Sequence, residues 1–164
     1  MRTILCIAMF AAAACSEQPE KKNFPIAGEL YKWPEGTTIL PPRPGVYGKG
    51  YVRFCPDECH ESAYRLIYDG DKQAAANEAG LPNLHFITTR FSKREDLSFH
   101  ETAVGEVVCQ QKLVQVGGRF TCGFSFVHRG ARWQVHFDAA AIPNVETFYR
   151  DALKRLEAFR NAEV

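Results

Sequence analysis

The chain predicts an α+β fold: an antiparallel β-meander of four to five strands, two short helices ahead of it, and a C-terminal amphipathic helix packed on the sheet. Three observations carry this expectation. Residues 119–127 and 131–137 alternate apolar and polar side chains across Arg129-Gly130. Residues 145–159 repeat apolar side chains at helical spacing. Residues 57–80 also read as helical.

Taken in order, residues 46–54 read as a strand interrupted by Gly48 and Gly50. Asp57 is placed to cap a helix reaching Tyr68, with Cys59, Ala63, Leu66 and Ile67 on its apolar stripe and Gly70 as its stop. Asp71 opens a short Ala-rich helix that ends at Gly80-Leu81-Pro82. Residues 84–91 read as a strand, 92–100 as a charged loop, and 102–116 as one or two strands. Phe120, Cys122, Phe124 and Phe126 share one strand face, and Trp133, Val135 and Phe137 turn inward from the next strand. Gly117-Gly118 and Arg129-Gly130 read as the turns of the meander. Asn144 caps the last helix, whose stripe is Val145, Phe148, Ala152, Leu156 and Phe159, flanked by Tyr149 and Leu153. Glu146 with Arg150 and Asp151 with Arg155 are i,i+4 pairs in the favourable order. This order of elements loosely resembles cystatin-like cone folds, a likeness that carries no function.

The N-terminus has a different character. Met1-Arg2 precedes an apolar run over residues 4–14, which is eleven residues long. A spanning helix needs about 20, whereas a signal h-region needs fewer. The run ends in Ala11-Ala12-Ala13-Ala14 followed by Cys15. This stretch resembles the signal of bacterial lipoproteins, although Ala12 stands where that family prefers a branched residue. The resemblance covers residues 1–16. It implies that Cys15 is lipidated and begins the mature chain. Ser16, in place of Asp, implies outer-membrane sorting with the domain facing the periplasm. The alternative is an ordinary signal cut near Ala14 or Cys15, giving a soluble secreted protein.

Six of the nine prolines fall within residues 16–46, so residues 15–45 read as an extended, lipid-tethered arm. Phe24, Ile26, Leu30, Tyr31, Trp33 and Ile39 make the arm more apolar than a spacer. It is expected to lie along the surface of a single periplasmic domain spanning residues 46–164, a size suited to one core. Removal of the leader takes Arg2 with it and leaves the mature chain with equal numbers of basic and acidic residues. A neutral chain lacks the electrostatic footprint of a nucleic-acid binder.

Four cysteines remain in the domain: Cys55, Cys59, Cys109 and Cys122. In an oxidising compartment an even number reads as disulfides. The shortest loops pair Cys55 with Cys59 and Cys109 with Cys122. A two-residue turn at Gly117-Gly118 would oppose this, since it puts Cys109 and Cys122 four residues out of register. That offset is about 13 Å, against the roughly 7 Å a disulfide spans. Either the loop is longer and bulged, or these cysteines pair with Cys55 and Cys59. Zinc held by four cysteines, or by three and His60, conflicts with oxidation. Cys55 to His60 misses the haem attachment spacing by one residue, and both methionines lie in the leader.

No catalytic set, metal site or cofactor is assigned. His60, His85, His100, His128 and His136 each read as surface or partly buried imidazoles. There is no nucleophile elbow, no zinc-protease helix motif and no phosphate loop. The expectation is a protein-binding module anchored to the outer membrane through its lipid and facing another envelope protein. One version is an inhibitor or immunity protein against a toxin or hydrolase acting in the periplasm. Its contact candidates are Tyr31 and Trp33 in the arm and Lys93, Arg94, Glu95 and Asp96 in the charged loop. The alternatives are an envelope assembly or secretion accessory, or a small ligand-binding or enzymatic cone domain.

Overall fold

A computed structural model describes residues 23–41, 50–70 and 93–161, without the side chains of Phe24 and Asn161. The leader, Cys15, the Ala-rich helix from Asp71, the strand over 84–91 and His85 lie outside the described residues.

The chain opens with a hairpin of β1 (Asn23–Ile26) and β2 (Glu29–Lys32). Its turn, Ala27-Gly28, has positive φ at both residues, the geometry that matches strand twist in two-residue hairpins. Then come β3 (Thr38–Leu40), β4 (Tyr51–Phe54), β5 (Tyr64–Asp69), β6 (Leu97–Thr102), β7 (Gly105–Gln110), the short helix α1 (Gln111–Gln115), β8 (Cys122–His128), β9 (Ala131–Phe137) and α2 (Val145–Asn161). Strands β3 to β9 form one antiparallel sheet in the order β3-β4-β5-β9-β8-β7-β6. The α+β expectation holds in its coarse form, with seven strands in this sheet in place of four to five.

One face of the sheet carries the core. Val52, Phe54, Tyr64, Leu66, Cys122, Phe124, Trp133, Val135 and Phe137 pack against Val145, Phe148, Ala152 and Leu156 of α2. These four belong to the stripe read from the sequence, whose fifth member, Phe159, is partly buried against the same core, and the ion pairs Glu146–Arg150 (3.1 Å) and Asp151–Arg155 (2.7 Å) both form. The Arg129-Gly130 turn also forms where expected, between β8 and β9.

Residues 57–68 are not a helix. The Cys55–Cys59 disulfide closes a tight turn, and Tyr64 to Asp69 then runs as a strand between β4 and β9. Leu66 faces α2 while Ile67 is buried on the other side, so both faces of β5 are covered. A strand buried on both sides loses its alternation, and short apolar runs of that kind imitate helical spacing.

The arm is also not a surface strap. Tyr31 and Trp33 are 1% and 4% exposed and belong to the core. Their rings stand 5.5 and 5.9 Å from Trp133, and Trp33 lies 5.2 Å from Phe159 of α2. The β1–β2 hairpin thus sits beside α2 on the sheet, and the folded unit begins well before Val46. The strands keep the extended backbone that the prolines favour, and burial of two large aromatic side chains draws the hairpin into the core.

Candidate functional site

The connection between β7 and β8 is the most unusual surface of the described structure. Cys109 and Cys122 pair directly across the ladder, with Cα atoms 4.0 Å apart, and their sulfurs are bonded. The bond closes the base of a long loop, residues 110–121, which contains α1. This resolves the register conflict: Gly117-Gly118 is not a hairpin turn. Gly117 adopts φ 71°, its N–H donates to the Val114 carbonyl (3.0 Å), and the Gly118 N–H donates to the Leu113 carbonyl (2.8 Å). Together these make a Schellman cap that stops α1. At the other end Gln110 Oε1 accepts from the Lys112 N–H at 3.0 Å. The expected strand over 102–116 therefore breaks at Gln110, where a side-chain cap offers the backbone a helical turn.

Further contacts hold the loop. Lys112 Nζ lies 2.7 Å from Asp96 Oδ1, and Gln111 Nε2 donates to the Leu97 carbonyl at 3.4 Å. Behind the loop, Arg119 donates to the carbonyls of His60 and Ser62 and pairs with Asp138. Asp138 also accepts the Phe120 N–H at 2.5 Å. Phe120 is buried, but outside the main core, beneath the guanidiniums of Arg65 and Arg119.

Yet this firmly held loop directs its apolar residues outward. Leu113, Val114 and Val116 are 41%, 37% and 79% exposed. The charged residues of the same loop, Lys112 and Arg119, are each already paired.

The charged-loop candidates come next to this surface. Residues Arg94–Asp96 form a single 3-10 turn, in which the Asp96 carboxylate accepts the Lys93 N–H at 3.2 Å. Lys93, Arg94 and Glu95 are exposed, while Asp96 bonds Lys112. That bond, then the Lys93 N–H, hold the Asp96 carboxyl below its ordinary range. The structure thus joins the 93–96 turn to α1, and it moves Tyr31 and Trp33 away into the core. Sequence reasoning missed Leu113, Val114 and Val116 because they were assigned to a strand. The signal that could have found them was the Gly117-Gly118 pair read as a helix stop instead of a turn.

Two other places concentrate polar groups. On the sheet face away from α2, Arg65 Nη2 lies 3.5 Å from His136 Nδ1, and His136 Nε2 lies 3.0 Å from Gln134 Oε1. His136 and Gln134 are fully buried, which makes this a structural layer. Near the Cys55–Cys59 turn, exposed His60 lies 3.5 Å from both Glu58 and Glu61. Among the described residues no His, Cys, Asp and Glu group has the arrangement to hold a metal ion. None of the described helices is long and apolar enough to cross a membrane.

No known protein family, curated protein or solved structure matches the chain.

Proposed function

We propose that the chain is an exported lipoprotein, anchored through Cys15 and facing the periplasm, whose folded domain binds another envelope protein through the α1 loop. The supporting observation is the exposure of Leu113, Val114 and Val116 on a loop closed by a disulfide and capped by two glycines. Apolar side chains at a protein surface lose nothing by being covered and favour association when a partner covers them. A loop already held in one shape avoids the ordering cost that a flexible one incurs on binding. The mixed charges of Lys93, Arg94 and Glu95 supply a polar rim to this apolar centre, the arrangement common to protein interfaces. A stapled loop of this kind suits an inhibitor or immunity protein that fills a cleft in a toxin or hydrolase. A lipid anchor would raise its concentration at the membrane where such a target arrives.

The test is affinity capture from envelope extract by the wild-type protein and by a Leu113→Glu/Val116→Glu double variant. Both positions are exposed, so the variant keeps its fold and both disulfides. A partner retained by the wild type and lost from the variant supports the reading. Equal capture by both, or no specific capture by the wild type, overturns it.

A further inference from the structure

A cavity of about 290 Å³ opens beside α1, between strands β6 and β7 and the 3-10 turn Ala139–Asn144. Val114, Ala139 and Ile142 give it apolar walls. Ser98 and His100, two residues apart on β6, point from the same strand face into it. His100 Nε2 lies 3.2 Å from Ser98 Oγ. Among the described residues the lining contains no Asp, Glu, Lys or Arg. At the roughly 30 Å³ that each water takes up in the liquid, the space suits about ten heavy atoms.

We propose that this cavity binds a small neutral amphiphile: an apolar body with one alcohol-type head held by Ser98 and His100. The head chemistry follows from the pair. If Ser98 donates to His100, its lone pairs remain to accept a hydrogen bond. If His100 donates to Ser98, the serine hydroxyl remains to donate. An alcohol serves either arrangement. A carboxylate finds no cation among the described lining residues, and a wholly apolar ligand covers the donor or acceptor that the Ser98–His100 bond leaves over. The 3.2 Å separation is also that of a nucleophile and its base. Among the described residues, however, no hydrogen bond orients the imidazole from its other nitrogen, so the geometry assigns recognition and not acyl transfer. The cavity shares Val114 with the partner surface, but Ser98, His100, Ala139 and Ile142 lie outside it, and a change at Leu113 and Val116 leaves the lining intact.

The experiment titrates the folded protein with 1-octanol, 1-chloroheptane and octanoate, followed by calorimetry and by the His100 ring resonances. The expected result is saturable binding of 1-octanol, with 1-chloroheptane weaker by about fivefold, the worth of one ordinary hydrogen bond. That gap closes in Ser98→Ala and again in His100→Phe, either of which suffices if the other fails to fold. Ala139→Leu, which narrows the cavity, weakens both ligands. Absence of saturable 1-octanol binding, preference for octanoate, or a gap unchanged in both variants overturns the proposal.

Discussion

Cys109 and Cys122 stand opposite each other in the β7–β8 ladder, and the bond between them closes off the loop that carries α1. A cross-link of this span restricts the unfolded chain and stabilises the fold by about 3 kcal/mol in the chain-entropy description. The Cys109→Ala/Cys122→Ala variant is expected to lose about that much, read from the urea midpoint. Its amide exchange should rise most in residues 111–118. An unchanged midpoint would show that Lys112–Asp96 and the Arg119 contacts hold the loop without the staple.

Gly117 and Gly118 contribute in different ways. Gly117 needs a left-handed backbone, so Gly117→Ala should cost about 1 kcal/mol, and Gly117→Asn less, because Asn tolerates that conformation. Gly118 has ordinary φ but no room: a Cβ there would sit 2.9 Å from the Leu113 carbonyl oxygen. Gly118→Ala must therefore displace the cap itself. Thermal unfolding ranks the three variants, and Gly118→Asn should offer no relief over Gly118→Ala.

Trp33 tests the placement of the N-terminal hairpin. Its ring meets Trp133 and Phe159, so Trp33→Ala should cost about 3–5 kcal/mol, the range for large aromatic residues in a core. A surface strap would lose well under that amount. Denaturant unfolding followed by tryptophan fluorescence separates the two, since Trp133 remains as the reporter.

Legibility in the sequence followed the number of faces an element buries. Helix α2 and strands β8 and β9 were readable because α2 has one wet side and Arg129-Gly130 is a strong turn signal. Strand β5 was not, because Leu66 and Ile67 point to opposite sides and both are buried. Trp33 was hidden by Pro34, which marks a chain as extended without saying whether it is wet or dry. The α1 surface depended on one ambiguous pair, Gly117-Gly118, whose two readings differ in where Cys109 falls. The Ser98–His100 pair has the strand period of two, but Lys93 to Asp96 make residues 92–100 read as a charged loop.

Lipidation is tested by the intact mass of the membrane-extracted protein. Cys15 should begin the chain and carry acyl mass, and reductant should add the hydrogens of two opened disulfides. Cys15→Ser should remove the acyl mass and release the protein from the membrane, leaving the two bridges intact. A wild-type product that keeps residues 1–14 and lacks acyl mass overturns the anchor.

Glu157 predicts how the fold responds to acid. Its carboxylate accepts from Arg129 Nε at 2.9 Å and from Arg160 Nη2 at 3.1 Å, and His128 Nε2 lies 3.0 Å away. Arg160 also reaches toward Glu29 at 3.9 Å, so the group links α2 to the β8–β9 turn and to the first hairpin. The hydrogen bond from Arg129, aided by Arg160, lowers the Glu157 carboxyl from 4.5 to about 2. A carboxyl that binds its proton less readily when folded stabilises the fold above its unfolded value, and this stabilisation fades as pH falls from about 4.5 toward about 2. Glu157→Gln cannot release a proton, so it should be less stable than wild type at neutral pH, and the difference should shrink across that window. Urea midpoints measured at intervals from pH 7 to pH 2 give the comparison. Salt should reduce the difference at neutral pH, because the cluster is only partly buried. A Glu157→Gln deficit that stays constant through the acid range would mean that the side chain acts through packing, and the ionic latch between helix, turn and hairpin would be discarded.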